Sequence, residues 1–438
     1  MKQAVQKQKL DMLNGPLWNK IPQFALPVAA TAILEQLFNA SDIAVVGNFS
    51  GAASTIAVAA VGANSFVISL VVNFFIGIAL GANVVIANAI GREDTDAVHR
   101  AVHTAVVVAV LGGVLVTVLG ELAAGPALRA LNVPAEVLPY ALLYLRIYLL
   151  GVPVILLYNF EAAIFRSVGD TRVPLQTLAF SGVLNVLLNL FFVIVLHMTV
   201  NGVATATVLS NAISSVLLFV RLRRSDKAIH LEWTALRIDR RSLQKILQIG
   251  IPAGIQSAVF SISNIVIQSA INSLGTVVMA ASSAAFNIEV VAYDVLNSFS
   301  QACTTFVGQN YGAGKLDRCR KTLVLCLVED ALASGIAILL VLGSGRFLLS
   351  LFNRDPEVIA LGYTRLMTVF TAYFFSMLYE VMSGYLRGFG ISLVPALLTM
   401  LGVCGVRILW IATAFPRSRT FQTILLAYPL SLAATAVL

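Results

Sequence analysis

Twelve apolar stretches, each close to the length a helix needs to cross a bilayer, follow one another with short polar breaks. Crossing the hydrocarbon core takes about 20 residues of α-helix, and a helix satisfies its own backbone there. On that rule spans are predicted near 20–46, 54–88, 98–121, 136–162, 174–197, 202–221, 243–272, 276–308, 321–342, 357–384, 394–414 and 420–438. The second and eighth are longer than a crossing requires, which predicts tilt or an extension beyond the bilayer. Composition agrees. Of 438 residues 58% are hydrophobic and 11% charged, where soluble domains carry about 25% charged residues. The expected fold class is an all-α integral membrane protein with twelve transmembrane helices in two pseudo-symmetric six-helix bundles.

The net charge of +8 does not point to nucleic acid, because the basic residues lie between the apolar runs rather than on one soluble face. There they report topology. With the N-terminus inside, 21 Lys and Arg fall on the inner side and 5 on the outer, leaving Arg146, Arg365 and Arg407 within spans. This bias predicts a cytoplasmic N-terminus in the cell inner membrane. The opening "MKQAVQKQKL" is polar and basic, with no small-residue cleavage site after a short apolar core, so no signal peptide is expected. Cys303, Cys319, Cys326 and Cys404 lie in or beside apolar runs without metal-ligand spacing and read as reduced packing residues.

The chain is also written twice. "YNFEAAIFRSVGDTRVP" (158–174) returns as "YEVMSGYLRGFGISLVP" (379–395), with 5 of 17 positions identical. The same 221-residue offset pairs Gly91 with Gly312 and Asp96 with Asp317, and an offset of 225 pairs Lys20 with Lys245 and Pro27 with Pro252. Six spans per copy is an even number, so both copies cross in the same sense, as in parallel-repeat transporters. The expected lobes are 1–223 and 243–438, joined by a charged cytoplasmic linker at 224–242. Arg166 and Arg387, three residues before Gly169 and Gly390, read as helix C-terminal features and not as ligands.

Ionisable groups inside spans are costly and are functional candidates by default. Glu35 and Asp42 in "AILEQLFNASDIAVVGN" are seven residues apart, hence about 20° round the helix and about 10 Å in height. They form one polar stripe at two depths. Asn185 and Asn189 share a face of the fifth span at i, i+4, and the sixth offers Thr205, Thr207 and Asn211. Amides and hydroxyls at such places serve equally as helix–helix contacts. Converging on Asp42, they would form an oxygen-rich pocket for a hard cation or a held proton. The second half contributes Glu289, Asp294 and Glu380, with Glu161 in the equivalent neighbourhood of the first. Glu289 and Asp294, five residues apart, cannot face one spot, so one is expected to line a cleft and the other to pair or meet water. Glu329 and Asp330 have no evident partner.

No phosphate-binding loop, zinc pattern or nucleophile elbow accompanies these acids, and "GQNYGAGK" lacks GxxxxGK[ST] spacing. No cofactor, structural metal or enzymatic activity is expected. Work must then come from an ion gradient, and 100 mV of membrane potential supplies about 2.3 kcal/mol per charge moved.

"FNASDIAVVGN", "AAFNIEVV", "SQACTTFVGQNYGAGK", "FRSVGDTRVP" and "YLRGFG" resemble, in that order, the multidrug and toxic compound extrusion (MATE) family of bacterial type. The resemblance runs from about Asn19 to Leu438, and "VGQNYGAG" is its most specific stretch. It implies two six-helix lobes around a V-shaped cavity and export of cationic amphiphilic compounds against inward sodium or protons. It also implies that Asp42 is the family's first-helix aspartate that binds the coupling ion, with Asn185 and Thr207 in the same pocket. Asn189 stands where a second aspartate is common, which leaves sodium and proton coupling both open. Glu35 and Glu380 could supply the missing charge.

The expected function is therefore a monomeric, cation-coupled antiporter in the lipid bilayer, working on small cationic compounds by alternating access, with H+ or Na+ at Asp42. Glu161, Glu289, Asp294 and Glu380, with Phe38, Phe66, Phe286 and Tyr293, are the candidate cargo contacts. A lipid-linked sugar flippase of the same architecture is the alternative, and mid-span acids outnumbering mid-span arginines weigh against its anionic cargo.

Overall fold

The computed structural model describes residues 10–131, 133–225 and 228–438, without the side chains of Ala52 and Phe66. Among the described residues there are helices and turns and no strand. The first half contains α1 (Lys20–Phe49), α2 (Ser54–Gly91), α3 (Thr95–Ala130), α4 (Leu138–Ser167), α5 (Arg172–Val195) and α6 (Val200–Arg223). The second contains α7 (Arg240–Asn272), α8 (Thr276–Gly312), α9 (Leu316–Phe352), the bent α10 (Pro356–Phe370 and Tyr373–Gly388), α11 (Leu393–Thr413) and α12 (Phe421–Val437). Ten of these are long and apolar enough to cross a membrane, the bent α10 makes an eleventh span, and α12 is a shorter apolar helix of 17 residues. They occupy the twelve expected positions.

Three spans depart from regular helices. The tenth, expected as one rod, turns by 47° between Phe370 and Tyr373. The break separates Arg365 from Glu380, and Tyr373 beyond it donates its hydroxyl to the Glu289 carbonyl at 3.4 Å. The fifth span widens into a π-helical turn at Phe191–Val195 and the eleventh at Met400–Gly405. Such wide turns gather at functional positions, and that of α5 begins two residues after Asn189.

The described chain divides into two compact units. The first is residues 30–251 with Leu10; the second is residues 11–29 and 252–438. The first ten residues of α1 thus pack in the second unit, where Phe24 meets Phe306 of α8 edge to face at 6.0 Å. Correspondingly, the first twelve residues of α7 pack in the first unit, where Gly250 crosses α2 so closely that a Cβ on it would strike the backbone of Ile78. Only glycine permits that approach.

The written repeat is also a repeat of backbone geometry. At the end of α4, Gly169 N–H donates to Arg166 O at 2.9 Å and Asp170 N–H to Phe165 O at 3.0 Å. Residues Gly390, Arg387, Ile391 and Leu386 make the same two bonds at 2.8 and 3.0 Å. Both glycines sit at positive φ, 81° and 86°, the left-handed ending that glycine provides.

Candidate ion-binding centre

In the first unit α1, α5 and α6 bring four polar side chains, Asp42, Asn185, Asn189 and Thr207, to one buried point. Asp42 is 5% exposed and Asn189 not at all. Asn189 Nδ2 donates to Asp42 Oδ1 at 2.6 Å and to Asn185 Oδ1 at 3.2 Å. Thr207 Oγ1 lies 2.9 Å from Asp42 Oδ2 and 3.0 Å from its own helix's Val203 O. Its single proton serves one acceptor at a time. Tyr144 and Tyr148 of α4, with rings stacked 6.4 Å apart, are the nearby aromatic groups that feel the Asp42 charge.

No Lys or Arg makes an ion pair with Asp42 among the described residues. A buried carboxylate with only neutral donors is costly unless it acquires a proton or a metal cation. The donor set fits either. Besides the two carboxylate oxygens it holds Asn185 Oδ1 and the buried Asn189 Oδ1, which has no hydrogen-bond partner among the described residues. Oxygen-only ligands of this kind suit a hard ion.

Glu35, seven residues earlier on α1, is not part of that point. It lies on the exposed side of α1 and interacts electrostatically with Tyr148, Tyr158 and Arg166 of α4. Tyr148 feels both Glu35 and Asp42. Glu161 is fully buried and accepts from Ser215 Oγ at 3.0 Å through Oε2, while its Oε1 has no partner among the described residues. The Phe38 ring packs on Gly182, where a Cβ would overlap it. The Phe66 side chain lies outside the described residues.

The second unit holds a different kind of centre. Arg365 of α10 grips Glu289 of α8 with two hydrogen bonds, Nε to Oε1 at 2.7 Å and Nη2 to Oε2 at 2.9 Å. It donates further to Ser282 Oγ at 2.6 Å and to Tyr428 Oη at 3.2 Å. Arg365 is 2% and Glu289 4% exposed. The guanidinium also lies over the Phe286 ring, 5.8 Å from its centroid, and Phe286 is otherwise exposed. Of the Glu289–Asp294 pair, Glu289 is thus the one that pairs; Asp294 is half-buried, with one oxygen unpartnered among the described residues. Glu380 accepts from Tyr293 Oη at 3.1 Å, and Asp330 from Ser334 Oγ at 2.6 Å. Arg387 donates to Gln256 at 2.8 Å, which is structural work at the end of α10.

Sequence reasoning left Arg365 without a role. A signal was present: an arginine at mid-span must find an acid or leave the bilayer, and the mid-span acids of the same half, Glu289 among them, were the candidates.

Two repeated six-helix units with ionisable groups buried at span depth define a multi-pass membrane carrier. The chain belongs to the MatE family, whose model matches residues 27–191 and 252–412, and it is accordingly a transporter and not an enzyme. It is similar to the probable multidrug resistance protein YoeA of Bacillus subtilis, 25% identical and covering 90% of this chain and 86% of that one. The probable multidrug resistance protein NorM of Thermotoga maritima is 27% identical, covering 91% and 85%. The fold matches the crystal structure of MATE in complex with MaL6, with TM-score 0.90 at 20% identity, covering 98% of this chain and 96% of that chain.

Proposed function

We propose that the protein exports cationic amphiphilic compounds across the cell inner membrane in exchange for an inward-moving H+ or Na+, with Asp42 as the group that takes and releases the ion. The observation that carries this is a buried carboxylate held by Asn189 and Thr207 and by no fixed cation among the described residues. A carboxyl removed from water favours its uncharged form or a bound cation. Protonation would free Thr207 to donate to Val203 O, whereas sodium would draw on Asn185 Oδ1 and Asn189 Oδ1 besides the carboxylate. Either event changes the packing of α1 against α5 and α6, which supplies the differential contact that alternating access needs. Asn189 is thus a ligand of the centre as much as Asn185.

The names of the relatives support drug export rather than a lipid-linked sugar flippase. For the cargo, Asp294 and the Glu380–Tyr293 pair supply acid and aromatic groups for an organic cation, whereas the Phe286 ring already faces the Arg365 guanidinium. Glu289 brings no net charge, because Arg365 cancels it. The carrier works as a monomer with its N-terminus in the cytoplasm, the side favoured by the 21 to 5 distribution of basic residues.

Counterflow of a cationic dye in proteoliposomes, with sodium and proton gradients imposed separately, tests the reading. Dye movement should follow at least one of the two gradients. Movement of lipid-linked sugars alone, and of no cation in a broad panel, would replace it.

A further inference from the structure

Two clefts lie away from the ion centre, at the helix ends where Lys and Arg accumulate. In the first unit a cleft of about 750 Å³ opens between the α2–α3 turn and the start of α7. Arg92, Arg100, Arg240, Arg241 and Lys245 converge on it above an apolar floor that includes Val85 and Ala89. None of the five makes a hydrogen bond or a close ion pair among the described residues. Two acids also border it, but each is engaged as a helix cap. Asp94 accepts from Ala97 N at 2.9 Å, and Asp239 Oδ2 from Ser242 N and Oγ, both at 2.8 Å. The Ser242 bonds, backbone first, hold the Asp239 carboxyl below its usual range. Arg100 and Arg241 add a weaker pull on the same carboxyl, but five basic side chains against two acids leave the cleft with a positive excess.

The second unit repeats the arrangement. A cleft of about 570 Å³ lies between Gly15–Trp18 and the start of α9. Arg320 and Lys321 border it, beside Leu17, Val324 and the Trp18 ring. Trp18 is 66% and Val324 58% exposed. The 225 offset carries Gly15–Trp18 onto Arg240–Leu243, and the 221 offset carries Arg100 onto Lys321. One corner of the fold is thus built twice, each time as a basic hollow with an apolar wall. Arg318 shapes the second by donating to Gly15 O at 2.9 Å and Met12 O at 3.1 Å, which pins the segment before α1.

Scattered basic residues at helix ends would satisfy topology alone. Convergence on a hollow is a further property, because crowded like charges repel unless an anion lies between them. Arginine forks match phosphate oxygens. Basic pockets between helices on the cytoplasmic side hold anionic headgroups, and Trp favours the membrane boundary. We propose that each of these two repeat-related clefts seats the phosphate of an anionic phospholipid, with its acyl chains along the apolar wall. This does not depend on Asp42 carrying the coupling ion.

The test is retention of lipid by the full-length protein taken from nanodiscs of mixed phosphatidylglycerol and phosphatidylcholine, read by native mass spectrometry. The unmutated protein should keep two phosphatidylglycerol molecules, the Arg92→Gln/Arg100→Gln/Arg241→Gln variant one, and the Arg320→Gln/Lys321→Gln variant one. An Arg221→Gln/Arg223→Gln/Arg224→Gln variant removes as much charge from the same side outside both clefts and should keep two. Equal loss in that control would make the effect diffuse surface charge and overturn the proposal. Retention of phosphatidylcholine as readily as phosphatidylglycerol would overturn it as well. Displacement of the lipid by inorganic phosphate at physiological ionic strength would assign the clefts to a soluble phosphate and overturn the lipid source.

Discussion

In the first unit Asp42 is met by an amide and a hydroxyl, whereas in the second Glu289 is met by a guanidinium. The repeat relates the two corners closely. Its 221 offset carries Thr207 onto Tyr428 and Tyr144 onto Arg365, and its 225 offset carries Asp42 onto Ile267. Thr207 touches the acid of its unit, and Tyr428 touches the arginine of the other. Corresponding corners thus hold an acid without a fixed cation in one unit and a tethered cation in the other. A tethered guanidinium paired to an internal carboxylate cannot be exchanged against a gradient, so on this account the Arg365–Glu289 pair takes no part in ion exchange. The difference teaches that a buried acid marks function only when its counter-charge is not already built into the chain.

The largest effect is expected from breaking the closed centre. Arg365→Met leaves Glu289 buried without its partner and should lower stability by about 3–5 kcal/mol. Thermal unfolding in detergent measures this, and adding Glu289→Gln should recover most of the loss. A double variant as unstable as the single one would show that Arg365 acts by filling space and not by pairing.

Next come the neutral donors of the open centre. A hydrogen bond to a charged group contributes about 1.5–3 kcal/mol, so Asn189→Leu should slow gradient-driven dye uptake by about tenfold or more. Thr207→Val should do less, because that hydroxyl divides its proton between Asp42 and Val203 O. Thr205→Val is the control, since among the described residues Thr205 bonds only the Asn201 carbonyl one turn back, at 2.7 Å. If Thr205→Val slowed uptake as much as Thr207→Val, the loss would belong to α6 packing and the contrast between the units would weaken.

The smallest effect concerns the linker side of the first unit. Asp239→Ala removes a cap and should lower stability by about 1 kcal/mol at neutral pH. The capped carboxyl titrates below its usual range, so its contribution is present above the ordinary carboxylate range. It is lost as pH falls through the depressed value. The two proteins should therefore converge in melting temperature in acid, and a gap that persists there would assign the effect to something other than the carboxylate.

Much of this was legible before any coordinates, because lipid imposes strong rules. Span positions follow from the apolar lengths, and the doubled phrase at 158–174 and 379–395 announces the repeat that the matching turns after α4 and α10 express. The i, i+4 spacing put Asn185 and Asn189 on one face, and that face does meet α1. Which amide touches Asp42 was not legible, since a few degrees of helix rotation decide it. The Arg365–Glu289 pair was also hidden, because its members stand 76 residues apart and partner choice between helices is tertiary. The break in α10 has no proline to announce it. Nor does any local signal say that the opening turns of α1 pack with α8.

The central proposal is that a mobile H+ or Na+ couples transport at Asp42. Asp42→Asn preserves shape and polarity but cannot change charge, so it isolates that claim. Dye uptake into inverted vesicles should be measured under a proton gradient and, separately, under a sodium gradient, with dye binding to the purified protein in parallel. The account predicts that Asp42→Asn reduces driven uptake to the level of vesicles lacking the protein while dye binding is largely kept. Glu35→Gln, outside the buried point, should slow uptake less. Uptake by Asp42→Asn at the unmutated rate under both gradients would contradict the account and place the coupling group elsewhere.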